Sequence, residues 1–232
     1  MSCWDPLDKI YCITLEHRKD RRRRSEIEFG KVGLLDRVEY VQVRQHPRNS
    51  EEGIFDSHMH CFQKCLDSGA RRVAVFEDDV VFDGFDPRRV EEGLRFVESL
   101  DHWDMFFLGC LVSRSRSTAS RAVRQVRYRS LTHGYVLHRP FAEELSKIQW
   151  SGRPIDAIFK NLVRHAYALY PSIAFQSNAS SDNWRLKILD RVRRVCGGLR
   201  FIQKMNERYH RHFKVILLAH LLAVLALAGW LL

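Results

Sequence analysis

The sequence predicts an α/β fold, a sandwich of helices around a mostly parallel sheet, and three observations lead to this prediction. Short runs rich in β-branched and aromatic residues alternate with longer amphipathic segments along most of the chain. The composition is that of a globular protein, with 45% hydrophobic and 11% aromatic residues. The length of 232 residues accommodates one such domain and an appendage, but hardly two full domains.

The strands are predicted at short apolar runs. Residues 9–15 (KIYCITL) are expected to form a buried first strand, and residues 37–43 (RVEYVQV) alternate as a second strand should. Residues 72–82 (RVAVFEDDVVF) form an apolar run that is interrupted by three consecutive acids. Further strands are expected at 103–108, 134–137 and 166–169.

Helices are predicted between these strands. The predicted helices are 18–31, 53–68, 87–100, a helix that begins at Pro140, and 155–165. Gly69 is a suitable residue to end the second of them. Residues 113–120 are rich in serine and arginine, and this composition favours a mobile loop.

The net charge of +10 belongs to the C-terminal part of the chain. Residues 185–232 contain ten Lys/Arg and two acidic residues, whereas residues 1–184 contain 28 basic and 26 acidic residues. Proteins that bind nucleic acid usually carry their positive charge on the folded surface. A nearly neutral body therefore argues against a nucleic-acid partner.

The C-terminal part of the chain resembles a membrane anchor. Residues 185–214 have the pattern of a basic amphipathic helix, and residues 215–232 carry no formal charge apart from His220. A span needs about 20 apolar residues, so we expect a transmembrane or membrane-inserted helix here, with membrane lipids as partners. The positive-inside rule then places the catalytic domain, residues 1–184, in the cytoplasm. The alternative is a buried core helix.

The N-terminus and the cysteines fit the same compartment. Residues 1–8 are polar and predict no signal peptide. Six cysteines are scattered singly, except that Cys61 and Cys65 are four residues apart in a predicted helix. Since no second pair of Cys or His follows at ligand spacing, a zinc site is not expected. Reduced thiols in a cytoplasm-facing protein are the simplest interpretation.

Three adjacent carboxylates, Glu77, Asp78 and Asp79, follow an apolar strand. Their repulsion requires a nearby positive charge, and ligands of open α/β sheets bind at the carboxyl ends of strands. A divalent cation, Mn²⁺ or Mg²⁺, takes oxygen ligands and commonly bridges to phosphates. Strand alternation would place Glu77 and Asp79 on one face and Asp78 on the other. The alternative is an acidic loop in solvent.

Several segments carry a resemblance to a known family. The segments are 10–22 (IYCITLEHRKDRR), 53–62 (GIFDSHMHCF), 73–82 (VAVFEDDVVF), 133–139 (HGYVLHR), 154–156 (PID) and the series Pro171, Gln176, Ser181, Asp182. In this order and spacing they resemble glycosyltransferase family 25, which includes bacterial lipopolysaccharide and lipooligosaccharide galactosyltransferases and collagen β-galactosyltransferases. The chain departs from the family pattern at Thr14, where Asn is usual, and at Ile54, which replaces Cys.

The resemblance implies a GT-A-type nucleotide-diphospho-sugar transferase fold, a Rossmann-like sandwich. It implies a UDP-sugar donor, with galactose or glucose as the hexose, and inversion at the anomeric carbon. A glycan or a lipid-linked glycan of the cell surface would be the acceptor. The donor-binding residues would be Thr14, Leu15, Arg18, Arg21, Ser57, His58 and Asp78.

The remaining site residues are carboxylates. Asp79 together with Glu77 would hold the metal that offsets charge on the leaving diphosphate. Inversion by direct displacement needs a carboxylate base, and Asp156 and Asp182 are the two candidates, with Asp156 preferred. Two other functions stay open on the sequence alone. These are a metal-dependent hydrolase that uses the same carboxylates, and a non-enzymatic basic adaptor for membranes or nucleic acid.

Overall fold

The computed structural model describes residues 2–177 and 197–231. The strands are β1 (Lys9–Leu15), β2 (Val38–Val43), β3 (Arg72–Glu77), β4 (Val80–Phe82), β5 (Met105–Phe107), β6 (Leu111–Ser117), β7 (Val123–Ser130), β8 (Gly134–His138), β9 (Ala166–Leu169) and β10 (Ala174–Gln176). The helices are α1 (Lys19–Lys31), α2 (Ser50–Asp67), α3 (Pro87–Glu98), α4 (Arg139–Leu145), α5 (Ile155–Leu162) and α6 (Gly198–Leu231).

Eight strands form one sheet in the order β2-β1-β3-β8-β5-β9-β7-β6, and β4 pairs with β10 beside it. The pairs β1/β2, β1/β3 and β5/β9 are parallel. The four pairs β3/β8, β5/β8, β7/β9 and β6/β7 are antiparallel. The prediction of a mostly parallel sheet is therefore wrong, and the sheet is mixed. The physical reason is that β8 enters between β3 and β5 in the direction opposite to both.

Helices cover both faces of the sheet, as predicted for an α/β sandwich. One core contains Phe62 of α2, Phe141 of α4 and Phe159 of α5, all of them buried. The other core contains Phe29 of α1 and Leu94 of α3, also buried. Burial of a large apolar side chain contributes about 1.5–3 kcal/mol, so these two layers fix the position of the strand ends between them.

The predicted mobile loop at 113–120 is instead part of an antiparallel hairpin, β6–β7. In β7, Val126 and Tyr128 are buried and alternate with exposed polar residues, so the strand packs on the core through one face. In β6 only Val112 is buried. The sequence of β6 therefore lacks the alternation that would have predicted it, and pairing with β7 decides its structure.

The long helix α6 is joined to the body of the protein through buried polar contacts. Gln203 is fully buried and its Nε2 donates to the Ala174 carbonyl at 2.9 Å. Asn206 pairs with both backbone groups of Val112, accepting from its N–H at 2.9 Å and donating to its C=O at 3.0 Å. The sheet edge at β6 is thus satisfied by a side chain from α6. Gly109 permits the close approach, because a Cβ there would lie 2.6 Å from Gln203 Nε2.

The second half of α6 differs from the expected membrane anchor. In the part of the chain that the structure describes, no helix has both the length and the apolarity to cross a membrane. The predicted transmembrane helix is therefore not supported. The predicted boundary at 214/215 falls inside one continuous helix, whose side chains from Val215 to Leu227 include many exposed apolar ones.

We expect a chain that ends at residue 184 to be much less stable than one that ends at residue 214. The shorter chain loses Asn206 and leaves the N–H and C=O of Val112 without these hydrogen bonds, at about 1–3 kcal/mol each. It also loses the hydrogen bond from Gln203 to the Ala174 carbonyl, which keeps the one to His133. The free energy of unfolding of a whole domain is about 5–15 kcal/mol. Urea unfolding of the two truncations measures the difference. The variant Asn206→Ala should lower the unfolding midpoint, whereas the exposed control Asn161→Ala should not. Equal midpoints for both truncations would show that α6 adds nothing to the fold.

Candidate active site

A cavity of about 530 Å³ opens at the carboxyl ends of the first three strands. Its wall contains Leu15, Val43 and Glu77, which are the last residues of β1, β2 and β3. Helix α5 contributes Asp156 and Lys160 to the lining of the same cavity. Ligands of open α/β sheets bind in such a crevice because the strand ends present loops and backbone groups there.

The cavity gathers nearly all of the predicted site residues. Those that line it are Thr14, Leu15, Arg21, Ser57, His58, Glu77, Asp78, Asp79 and Asp156. Arg18 lies at the start of α1, where its Nε donates to Asp20 Oδ1 at 2.9 Å. Asp182, the second candidate base, lies outside the residues that the structure describes.

The three acids lie at the end of β3 and in the turn that follows it, so strand alternation does not orient them as predicted. β3 ends at Glu77, and Asp78 and Asp79 form a turn before β4. Both aspartates face the same cation, since Arg21 Nη1 lies 3.2 Å from Asp78 Oδ1 and 3.8 Å from Asp79 Oδ2. Arg21 of α1 therefore supplies a positive charge to the two aspartates. The prediction that Asp78 faces away from Asp79 is wrong.

Asp78 is fully engaged by the protein. Its Oδ2 accepts from the Thr14 hydroxyl at 2.7 Å and its Oδ1 accepts from Arg21. Burial raises the pKa of Asp78 above its usual value, and the hydrogen bonds from Thr14 and Arg21 oppose that rise. The pair Thr14–Asp78 thus holds the turn against the end of β1. Thr14, which stands where the family usually has Asn, therefore donates a structural hydrogen bond to Asp78.

Asp79 has one oxygen in use and one available. Its Oδ2 accepts from Gln176 Nε2 at 2.9 Å, whereas its buried Oδ1 has no hydrogen-bond partner among the described residues. Burial and the charge of Glu77 raise the pKa of Asp79 to about 7, although Arg21 opposes this rise. An unpartnered buried carboxylate oxygen at the wall of a cavity is suited to a cation.

Glu77 belongs to a hydrogen-bonded chain that the sequence did not reveal. Its Oε1 accepts from the Thr132 hydroxyl at 2.5 Å and lies 3.6 Å from Nε2 of His58. Nδ1 of the buried His58 shares a hydrogen bond of 2.8 Å with the Tyr135 hydroxyl. Burial alone would raise the pKa of Glu77, but the hydrogen bond and charge of His58, together with Thr132, hold it below its usual value. His58 thus orients Glu77, and Ser57 beside it donates to the Gly53 carbonyl at 2.5 Å.

Asp156 is held by a different set of groups. Its Oδ1 accepts from the Tyr128 hydroxyl and from the backbone N–H of Leu131, the latter at 3.1 Å. Leu131 has a φ of 81°, which lies in the left-handed region that residues other than glycine seldom adopt. Burial raises the pKa of Asp156, and the hydrogen bond from Tyr128 opposes this rise. The negative charge of Glu77 raises the pKa of Asp156 further. Asp156 is therefore a fixed carboxylate of raised basicity at the cavity wall.

Sequence reasoning missed the residues that support these carboxylates. They are Tyr128, Leu131, Thr132 and Gln176. A strand prediction over 123–130 would have placed Tyr128 on the buried face. Thr132 is 55 residues from its partner Glu77, and Gln176 is 97 residues from its partner Asp79. A local sequence pattern does not predict contacts at such separations.

The divalent metal was predicted at Asp79 and Glu77. The described residues contain no group of three or more His, Cys, Asp or Glu side chains placed to hold a metal ion. Mg²⁺ sites, however, commonly use one or two carboxylates and take their other ligands from water and substrate phosphates. Asp79 Oδ1 fits that kind of site. Glu77 also has one engaged oxygen, since its Oε1 accepts from Thr132.

Part of this chain is similar in sequence to proteins of other organisms. Procollagen galactosyltransferase 1 of Danio rerio is 28% identical over 174 residues, which covers 61% of this chain and 29% of the relative. Procollagen galactosyltransferase 1-B of Xenopus laevis is 29% identical over 129 residues, covering 44% and 21%. A glycosyltransferase 25 family member of Aedes aegypti is 26% identical over 125 residues, covering 43% and 21%. The chain thus spans less than a third of the length of these relatives.

Solved structures resemble the fold more distantly. The protein A197 from STIV superimposes with a TM-score of 0.49 at 17% identity, covering 72% of this chain and 85% of that one. A glycosyltransferase involved in the glycosylation of the major capsid of PBCV-1 has a TM-score of 0.40 at 9% identity, covering 69% and 80%.

The sequence profile described as glycosyltransferase family 25 (LPS biosynthesis protein) matches residues 38–159. This range is more than half of the chain, and it includes Ser57, His58, the three acids 77–79, and Asp156. The matched range thus contains part of the candidate site, whereas Thr14 and Arg21 precede it. The chain belongs to glycosyltransferase family 25.

Proposed function

We propose that the chain is an inverting transferase that moves a hexose from a UDP-sugar to a hydroxyl group of a glycan acceptor. One observation carries this proposal. A single cavity is lined by an acidic cluster with its counter-charge, at the ends of β1 and β3, and also by the carboxylate of Asp156, which Tyr128 and Leu131 hold separately. A donor diphosphate and an acceptor hydroxyl need such distinct surroundings.

The donor would bind at the ends of β1, β2 and β3, in a GT-A-type arrangement. Leu15 and Val43 offer apolar wall for the uracil ring, and the Thr14–Asp78 pair fixes the turn beneath it. Galactose and glucose are the preferred hexoses, and the names of the procollagen galactosyltransferases support galactose. A glycan or lipid-linked glycan of the cell surface would be the acceptor.

A divalent cation at Asp79 would offset negative charge on the leaving diphosphate. The chain also has a cationic side chain of its own for this purpose. Lys160 lines the cavity and forms no ion pair with a described residue. A positive charge placed where the diphosphate charge develops stabilises the transition state more than the ground state.

Asp156 would act as the base. In a direct displacement, the acceptor oxygen attacks the anomeric carbon while the bond from that carbon to the diphosphate oxygen breaks, so the configuration inverts. The proton of the acceptor hydroxyl goes to the Asp156 carboxylate, and UDP leaves with the electron pair of the broken bond. The Tyr128 hydroxyl and the Leu131 N–H fix the carboxylate in place, and its raised pKa makes it a stronger base.

A donor screen tests the proposal. The purified chain is incubated with UDP-, GDP- and CMP-sugars in the presence of Mn²⁺, with and without an oligosaccharide acceptor, and nucleotide release is measured. We expect release from UDP-galactose or UDP-glucose that increases when the acceptor is added. NMR of the product should show the anomeric configuration opposite to that of the donor. Release from GDP- or CMP-sugars alone, or a product of retained configuration, would overturn the proposal.

A further inference from the structure

The β6–β7 hairpin concentrates positive charge at the edge of the sheet. Residues 111–130 contain six arginines and no acidic residue, and β6 is the last strand of the eight-stranded sheet. The near balance of charge over residues 1–184 hides this local excess. The hairpin is therefore a basic surface on a body that is otherwise nearly neutral.

Four of these arginines lie on one face of the hairpin. Arg114 is directly opposite Arg127 in the strand register, and residues two apart in a strand share a face. Arg116 of β6 and Arg129 of β7 therefore extend the same face on either side of that pair. All four side chains are exposed, and we call this set the arginine ribbon: Arg114, Arg116, Arg127 and Arg129.

No member of the arginine ribbon forms an ion pair with a carboxylate in the described part of the chain. Exposed arginines elsewhere do, as Arg95 does with Glu91 at 2.8 Å and Arg139 with Glu143 at 3.1 Å. Arg124 of the same hairpin is not part of the ribbon and donates to the hydroxyls of Ser115 and Ser117. Like charges directly opposite each other in a sheet are destabilising. The ribbon keeps such a pair, and a bound anion would relieve its repulsion.

The arginine ribbon is continuous with the candidate active site. Arg129 lines the cavity, and two residues later the Leu131 N–H holds the Asp156 carboxylate. The ribbon therefore leads outward from the wall where the acceptor hydroxyl would be deprotonated. A glycan whose reacting sugar lies at Asp156 would have its neighbouring sugars close to Arg127 and Arg114.

We propose that the arginine ribbon binds phosphate groups on the glycan acceptor, at sugars beyond the one that receives the hexose. This inference rests on the proposed function. The planar guanidinium group donates two parallel hydrogen bonds to phosphate, and such charge-assisted bonds are about twice as strong as neutral ones. The ribbon thus selects acceptors by their charge, while the cavity selects the hydroxyl.

The test compares two acceptors that differ in one group, a neutral oligosaccharide and the same oligosaccharide with one phosphate ester. The variant Arg114→Gln/Arg127→Gln removes two ribbon charges but spares Arg129 in the cavity wall. The control Arg23→Gln/Arg24→Gln removes two exposed charges from α1. We expect KM for the phosphorylated acceptor to rise about tenfold or more in the ribbon variant only, with kcat and the KM for the neutral acceptor unchanged.

Binding of the two acceptors, measured by calorimetry without donor, separates this inference from the proposed function. If the phosphorylated acceptor binds through the ribbon but no transfer occurs, the proposed function fails and the ribbon site stands. Equal affinity for both acceptors in the wild type would overturn the ribbon proposal, as would an equal loss for both in the ribbon variant. Ribbon-dependent binding of anionic lipid vesicles or single-stranded DNA, with none of the phosphorylated glycan, would also overturn it.

Discussion

The variant Asp156→Asn should lower turnover by about 10²–10⁴-fold with little change in donor affinity, because general-base assistance is typically worth that factor. The substitution preserves shape. The amide oxygen can still accept from the Tyr128 hydroxyl and the Leu131 N–H, so the fold and the left-handed turn at Leu131 should persist. What is lost is the ability to take the proton of the acceptor hydroxyl.

Single-turnover kinetics and UDP binding, measured on the same preparation, separate the chemical step from donor affinity. Asp36→Asn changes an exposed carboxylate away from the cavity and serves as the control. The companion variant Tyr128→Phe removes a hydrogen bond that lowers the pKa of Asp156. The rising limb of the pH–kcat/KM profile should therefore move to higher pH. If Asp182→Asn is inactive while Asp156→Asn is near wild type, the base is Asp182.

The variant Asp79→Asn should abolish Mn²⁺ binding and reduce transfer by about 10²–10³-fold, which corresponds to several kcal/mol of transition-state stabilisation. Asp79 Oδ1 is a buried carboxylate oxygen without a hydrogen-bond partner among the described residues. The pKa of Asp79 is raised to about 7, so below that pH the metal must displace a proton. As the pH is raised toward 7, the apparent affinity for Mn²⁺ should rise about tenfold per pH unit. Above pH 7 it should stay constant.

Titration calorimetry with Mn²⁺ between pH 5 and pH 8 measures this dependence directly, and a chelator should inhibit the wild-type enzyme. Circular dichroism measures whether Asp79→Asn is folded. We expect it to be folded, because the Gln176 amide can still donate a hydrogen bond to the amide oxygen of the new side chain. Full activity in excess EDTA, or unchanged Mn²⁺ binding by Asp79→Asn, would refute the metal role. The transferase proposal would survive that result, because Lys160 also lines the cavity.

Several features could be predicted from the sequence because they depend on neighbours along the chain. The limits of β1 and the positions of α1, α2 and α3 follow from the period of apolar residues and from the residues that end each helix. The acidic cluster was found because three carboxylates after an apolar strand need a counter-charge. The family resemblance was found on ordered short motifs, and the profile match confirms it. The divalent metal, the cytoplasmic location and the role of Asp182 stay predictions.

Other features were decided by contacts between distant parts of the chain. Arg21 and Asp78 are 57 residues apart in sequence, and Asn206 and Val112 are 94 apart, yet each pair is in direct contact. These contacts made Arg21 the counter-charge of the acidic cluster and joined α6 to the sheet edge. The domain boundary at 184 stays a prediction. The pattern of charged and apolar residues in α6 predicts a helix but does not show what that helix packs against.

The arrangement of the strands shows the same division. Short apolar runs predicted that β8 and β9 are strands, but such runs contain no information about direction or order. Only the packed sheet placed β8 antiparallel between β3 and β5. The β6–β7 hairpin followed from backbone pairing at the sheet edge. The sequence by itself determined which residues carry the chemistry. The tertiary structure decided which of them face one another, because hydrogen bonds and burial act between residues close in space, whatever their separation along the chain.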